Sequence, residues 1–382
     1  MCMGSLPLPL PSSLYSLSLQ VAMGIPGLWK LIDSCKQVRP LTELAVSEGY
    51  ERGKGERFDI AVDASGLICK CTPVFRHQHH TAGENPELRT IFYVMARLTR
   101  LPSRVLFVYD GPERPKVKRN KKVKSTPHWM TQSVQQMALL FGFHNHTAPG
   151  EADAELARLS RAGHVHAIMS DDVDCFIFGA FQVIKFPNTK DDGDNVHVFQ
   201  AGQINVQIGL SMGGLMLVAV LAGGDYDTVG LKGCGAETAC GIAQYGLGDS
   251  LLHMARFYTG QELSDALHSW RDELREILCH DPHDHVGRKN PALADTLSDS
   301  FPCLDVLHAY ARPLTSWSQG RSVPLEPSGH AAQPNVQDLA VFCSRRFGWS
   351  AEVIHSKFKN IVWPGVFIQT LLKLSTHVVL SE

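Results

Sequence analysis

Seven acidic residues stand where a metal-dependent hydrolysis of phosphodiesters needs them. They are Asp63 in FDIAVDAS, Asp110 in VLFVYDG, Glu151 and Asp153 in GEADAE, Asp172 and Asp174 in SDDVDCF, and Asp225 in GGDYD. Most follow an apolar, strand-like run or open a helical pattern. Carboxylates gathered away from water are costly unless something neutralises them. Hard divalent cations with oxygen ligands are the simplest candidate. Two such cations about 4 Å apart can grip a phosphodiester, activate a water and stabilise the departing oxygen of an in-line displacement. Magnesium suits this task because it keeps waters and takes few direct protein ligands.

Each acid alone has a plainer reading. Glu151 and Asp153 could complement the dipole at a helix N-terminus, and Asp63 could cap a helix. Asp171, Asp172 and Asp174 could form a solvated turn. The joint pattern argues otherwise, because independent surface acids need not recur at the end of each successive strand. The DVD triplet also suggests an aspartyl-nucleophile phosphatase. That signature belongs after the first strand, whereas here it comes late and continues as Cys175-Phe176.

The elements that must position these acids are legible as apolar runs. FDIAVD (58–63), RVLFVYD (104–110) and VHAIMS (165–170) read as buried strands. QVIKF (182–186) and NVHVFQ (195–200) read as further strands, antiparallel at an edge. Helical patterns lie between them over 84–100, 130–142 and 151–163. Such alternation predicts an α/β fold with a mainly parallel twisted sheet flanked by helices. Sites in such sheets form beyond the carboxyl ends of strands, where Asp63, Asp110 and the Asp172/Asp174 pair fall. GLMLVAVLAGG (214–224) reads as a buried helix leading to Asp225. Gly233-Cys234-Gly235 is then a tight turn opening a helix near Ala236. Thr238 breaks a GxGxxG reading. Such a glycine turn either presents backbone N–H groups to a phosphate or simply connects two helices.

At 382 residues, 44% hydrophobic and net charge −2, the chain is a folded globular protein whose overall charge does not announce nucleic acid. Its local charge does better. Seven of the eleven residues from Arg114 to Lys124 are Lys or Arg, which reads as a solvated face, a targeting signal or, directly after Asp110, a phosphate-contacting run. Ten cysteines without a CxxC pair argue against a disulfide framework or a structural zinc. The irregular His77–His80 and His280–His285 patches read as solvated loops. No apolar run reaches the length of a membrane span. Residues 1–22 read as a disordered extension, or as sequence upstream of a start at Met23.

MGIPGLWKLI (23–32), VDASGLI, FVYDGPERPKVKRNKK, APGEADAELA, SDDVDCFIFG and LAGGDYDTVGLKGCGAETA together resemble, block by block and in order, the XPG/flap-endonuclease superfamily. The wording is most similar to fungal Gen/Yen-type Holliday-junction resolvases. The resemblance covers 23–250 closely and weakens towards 365. It implies a PIN-like core in two regions, 23–125 and 126–225, and a helix–two-turn–helix DNA-binding module over 226–312. A linker (313–335) and a C-terminal helical segment (336–382) would follow. It also implies Mg²⁺-dependent cleavage (two ions, Mn²⁺ substituting) of branched or flapped DNA in the nucleus, with a homodimer on four-way junctions. Asp63, Asp110, Glu151 and Asp153 would serve mainly one metal position, and Asp172, Asp174 and Asp225 the other. Lys118 would bind the scissile phosphate and act in catalysis with Asp63, Asp110, Glu151 and Asp172. Lys116, Arg119, Lys121, Lys122, Lys124 and Lys232 would contact DNA together with Gly24, Gly233 and Gly235, with K⁺ at the glycine turn. The match departs from the family where 23 residues precede Gly24 and where the longer C-terminal portion of resolvases is not recognisable. A non-catalytic nucleic-acid-binding paralogue and a PIN-type ribonuclease are the competing readings.

Overall fold

The computed structural model describes residues 25, 27–51, 57–72, 84–186, 193–323 and 332–379. Residues 1–22, Gly24 and the His77–His80 run lie outside them.

Strands β1 (Gln37–Pro40), β2 (Phe58–Asp63), β3 (Ser103–Tyr109), β4 (Val117–Lys118), β5 (Lys121–Lys122), β6 (His144–Thr147), β7 (Ala167–Met169), β8 (Gln182–Ile184) and β9 (Asn195–Gln200) follow in chain order. Seven of them form one sheet ordered β1-β9-β8-β7-β2-β3-β6, while β4 and β5 form a separate hairpin. β2 pairs in parallel with β3 and β7, β3 with β6, and β7 with β8. β8 and β9 pair antiparallel to each other, as expected, but neither is an edge, because β8 also pairs in parallel with β7 and β1 pairs along the outer side of β9. Sequence periodicity misses β1 and β6. Their residues, QVRP and HNHT, are half-buried or exposed and carry no apolar run.

The strands alternate between two cores, as helices on both faces require. Ile60 and Val62 of β2 join Phe107 and Tyr109 of β3 on one face. Ala61, Leu106 and Val108 point to the other. That second face is covered by helices Ala152–Arg161 and Met212–Ala222. The latter is buried over nine consecutive residues, Gly213 to Leu221, so it is a central helix with no polar side. Helices Ala236–Ala243, Leu247–Phe257 and Gly260–His280 extend the same core.

The chain then returns to the first face. Helices Val336–Phe347 and Ala351–Lys357 and the turn after them place Phe347, Trp349 and Phe358 around Phe92, whose ring also meets Phe141 at 5.4 Å. Gln369 is buried and donates to the carbonyls of Thr99 and Leu101 at 2.9 and 2.8 Å. Part of the 313–335 stretch expected to be a linker is packed as well. Thr315 and Ser316 are buried, and Ser316 N donates to Glu155 Oε2 at 2.9 Å. A hydrogen-bond partner on a distant helix leaves no trace in a Pro/Ser/Gly-rich composition. Among the described residues no single helix is long and apolar enough to cross a membrane.

Candidate active site

β7, β2, β3 and β6 are neighbours and run parallel, so their carboxyl ends open at one edge of the sheet. The chain leaving each one delivers acids to that edge. Asp63 ends β2 and caps helix Ala64–Cys71: its Oδ1 accepts from Gly66 N at 2.7 Å. Its Oδ2 accepts from Ser170 Oγ at 2.9 Å, and Ser170 Oγ accepts in turn from Asp172 N at 3.0 Å. Ser170, just beyond β7, thus stitches the β2 acid to the β7 acids. Asp110 follows β3. Its Oδ1 accepts from Ala152 N at 2.9 Å, where the helix after β6 begins, and its Oδ2 pairs with Arg114. Glu151 stands at the N-cap of that helix without capping it. Asp172 Oδ1 accepts from Asp174 N at 3.0 Å. Asp153 Oδ1 accepts from the Cys175 thiol at 3.6 Å.

Asp225 reaches the same edge from the loop after helix Met212–Ala222. Two basic residues of the β4–β5 hairpin meet it there, and one of them also holds Glu151. Lys118 Nζ lies between them, bonded to Glu151 Oε1 and 2.8 Å from Asp225 Oδ2. Arg119 Nε donates to Asp225 Oδ1 at 2.6 Å. Ile25 packs against Gly224, which places the start of the described chain beside Asp225.

The electrostatics are those of crowded acids. Burial, then the charges of Asp110 and Asp172, push Asp63 up to about 7. Burial and Asp225 push Asp172 up to about 6. Burial and neighbouring carboxylates raise Asp153 and Asp174 well above the carboxylate range. Asp225 goes the other way: burial opposes its ionisation, but Lys118 and Arg119 overcome that. Lys118 is likewise held protonated by Glu151 and Asp225 despite its burial.

Among the described residues, no three His, Cys, Asp or Glu side chains already surround one point as a cation cage. Lys118 separates Glu151 from Asp225, and backbone N–H groups occupy oxygens of Asp63, Asp110 and Asp172. The donor set nevertheless fits hard cations. All seven acids offer oxygen, four of them resist ionising without added positive charge, and the buried Asp174 Oδ1 has no hydrogen-bond partner among the described residues.

Asp171 does not join the group. It pairs with Lys70 at 2.7 Å and accepts from Phe186 N, while its carbonyl accepts from Trp29 Nε1. Lys116, Lys121, Lys122 and Lys124 are exposed on the hairpin and its stem, and Lys232, Gly233 and Gly235 are exposed beyond Asp225. Lys118 and Arg119, read from sequence as DNA contacts, point instead at the acids. Three participants escape the sequence reading. Ser170 and Tyr226 adjoin recognised acids, and Tyr226 donates to Glu151. Tyr310 reaches Asp225 from far along the chain: its hydroxyl accepts the Asp225 N–H at 3.2 Å, and its ring packs on Tyr226 at 4.6 Å. Only spatial proximity could have found it.

Residues 23–131 match the XPG N-terminal domain and residues 142–225 the XPG I-region. Human flap endonuclease GEN homolog 1 is 30% identical over 263 residues, 63% of this chain and 27% of that protein. The yeast (Saccharomyces cerevisiae) DNA repair protein RAD2 is 28% identical over 240 residues, 62% of this chain and 20% of that one. The chain thus spans about a quarter or less of the length of these curated relatives. A crystal structure of the Holliday junction-resolving enzyme GEN1 with product DNA and Mg²⁺ superposes with a TM-score of 0.72 at 28% identity, covering 91% of this chain and 79% of that one.

Proposed function

The chain belongs to the XPG/flap-endonuclease superfamily, and from that premise we propose that it is a structure-specific DNA endonuclease of repair and recombination, acting in the nucleus on 5′-flap or four-way junctions. The observation that carries this reading is the meeting of seven acids from separate chain segments at one sheet edge, all offering oxygen, with Lys118 and Arg119 beside them. The Mg²⁺ and product DNA bound to the GEN1 relative support it.

Asp63, Asp110, Glu151 and Asp153 would hold one magnesium ion and Asp172, Asp174 and Asp225 the other. When bound, the two ions supply charge neutralisation and Lewis acidity for hydrolysis of the phosphodiester. The chain's own residues do the rest. Ser170 fixes Asp63 and Asp172 relative to each other. Tyr226 orients Glu151. Lys118, protonated throughout the neutral range, offers its ammonium to a phosphate oxygen and stabilises the charge that grows there. Exposed Lys116, Lys121, Lys122, Lys124 and Lys232 supply salt-sensitive backbone contacts. Gly233 and Gly235 let the turn after Asp225 approach the duplex, with K⁺ at that turn as part of the same reading. Mn²⁺ is expected to substitute for Mg²⁺, and two copies to act on a four-way junction.

The test is a panel of 5′-flap, nicked, bubble and four-way substrates, in DNA and in RNA, with Mg²⁺ and with Mn²⁺. Incision of branched DNA that Asp63→Ala abolishes is the expected result. Binding without turnover on every substrate points to a non-catalytic paralogue, and preferential RNA cleavage to a ribonuclease.

A further inference from the structure

The β4–β5 hairpin is built to hold its tip in one place. Arg119 and Asn120 form its two-residue turn with φ of 50° and 57°, the left-handed pair that closes a tight hairpin. Three contacts pin that tip, two to Asp225 itself and one to the loop after it. Arg119 N donates to Asp225 O at 2.8 Å, Arg119 Nε to Asp225 Oδ1 at 2.6 Å, and Asn120 Nδ2 to Thr228 Oγ1 at 2.8 Å. At the other end, Arg114 ties the stem to the site by bonding both Asp110 and the Lys124 carbonyl. The pinned hairpin carries Lys118 onto Glu151 and Asp225.

Those carboxylate oxygens are also ones a divalent cation needs. An ammonium and a cation cannot both occupy them without severe repulsion. The pinned hairpin and the loaded site are therefore alternatives in competition for Glu151 and Asp225. Resting on the two-metal reading above, we propose that the hairpin is an internal counter-ion latched over the acid pocket, with the Asn120–Thr228 hydrogen bond as its latch. Asn120 and Thr228 are positioning residues: they touch neither metal nor phosphate, and they set how readily Lys118 and Arg119 leave the acids. Released by metal, both cations are free to meet an incoming phosphate, so loading of the site and presentation of its basic groups are one event. Two states that share one set of ligands must bias each other reciprocally.

The experiment is calorimetric titration of the full chain with Mn²⁺ in the absence of DNA, with trypsin cleavage at Lys121–Lys122 as a second readout. Thr228→Val removes the latch hydroxyl, and Asn120→Gly removes the amide while keeping a residue that accepts positive φ. Both are expected to tighten Mn²⁺ binding by about two- to tenfold, the net worth of one hydrogen bond, while Thr228→Ser keeps wild-type affinity. Mn²⁺ is expected to speed tryptic cleavage of the wild-type hairpin, and the latch variants to start from the faster rate. Equal Mn²⁺ affinity in wild type and both latch variants, with circular dichroism unchanged, overturns the latch and leaves the two-metal reading standing. No Mn²⁺ uptake by any of the proteins overturns the metal reading itself.

Discussion

Gly66 N donates to Asp63 Oδ1 at 2.7 Å, and a β-carbon on Gly66 would stand 2.1 Å from Asp63 Oδ2. The carboxylate that ends β2 is pressed against a backbone that has room for nothing more. Gly66→Ala is therefore expected to do more than strain a helix. It must turn the Asp63 carboxylate away or shift the start of helix Ala64–Cys71, costing about 1–3 kcal/mol as overpacking does. The fall in Mn²⁺ affinity should exceed what the loss in melting temperature accounts for, and calorimetry beside thermal denaturation measures both.

Asp172→Asn should separate stability from chemistry. The amide can still accept from Asp174 N, but it carries no charge into a crowded pocket. Metal-free Asp172→Asn is expected to be more stable than wild type at pH 8, by on the order of 1–3 kcal/mol, because a carboxyl raised to about 6 is ionised there at a cost. Cleavage should fall at least about a hundredfold, while salt-dependent DNA binding persists. Denaturant melts, cleavage rates and binding isotherms at two salt concentrations read the three quantities.

The pH dependence has a definite sign. Asp63 at about 7 and Asp172 at about 6 both lie above their unfolded value of 3.8. Between those limits the native state holds more protons than the unfolded chain, so metal-free stability contributed by these groups falls as pH rises from about 4 to about 7. Bound cations reverse the trend by favouring the ionised form. Melting temperatures across pH 5–8 with and without Mn²⁺ should therefore diverge with pH. Mn²⁺ binding near pH 6 should release protons, detectable as a dependence of the calorimetric enthalpy on the buffer used.

Lys118→Met removes the ammonium between Glu151 and Asp225 and leaves two largely buried carboxylates facing each other. Breaking a buried pair from one side costs about 3–5 kcal/mol. The metal-free variant should lose stability on that order and recover much of it in millimolar Mg²⁺, whereas cleavage should stay low in any metal. A variant equally unstable with and without Mg²⁺ would show that the cation does not take over the position of the ammonium.

Gly233 and Gly235 should respond differently to alanine. Gly233 has φ of +94°, so Gly233→Ala strains the turn by about 1–2 kcal/mol. Gly235 has φ of −81°, and a β-carbon there meets nothing within 4 Å. Gly235→Ala should leave the melting temperature unchanged and weaken only DNA binding, because its methyl group projects into the space assigned to a phosphate backbone.

The acids and the strands that carry them were legible because both write themselves locally. An apolar run followed by Asp marks β2 and β3, and Asp63, Asp110 and Asp172 reach the expected edge. The basic run was legible in composition but not in direction. Nothing in RPKVKRNKK says that Lys118 and Arg119 turn inward while Lys121 and Lys122 face solvent; that follows from a two-residue turn at Arg119–Asn120, which lacks the Asn-Gly or Asp-Gly signal of a tight hairpin. β1 and β6 were silent because edge strands need no apolar alternation. Tyr310 and Ser316 were silent because their partners, Asp225 and Glu155, lie 85 and 161 positions away.

Phe92 takes its aromatic neighbours from two separate stretches of the chain, Phe141 from one and Phe347, Trp349 and Phe358 from the other. A nonsense mutation after Asp225 would spare every acid in the pocket and still strip this face of the sheet. The remnant would expose phenylalanine rings to water and be cleared by proteases or aggregate. Alleles whose stop codon falls between Asp225 and Phe347 should thus behave as protein-abundance defects, although every acid of the pocket is still encoded.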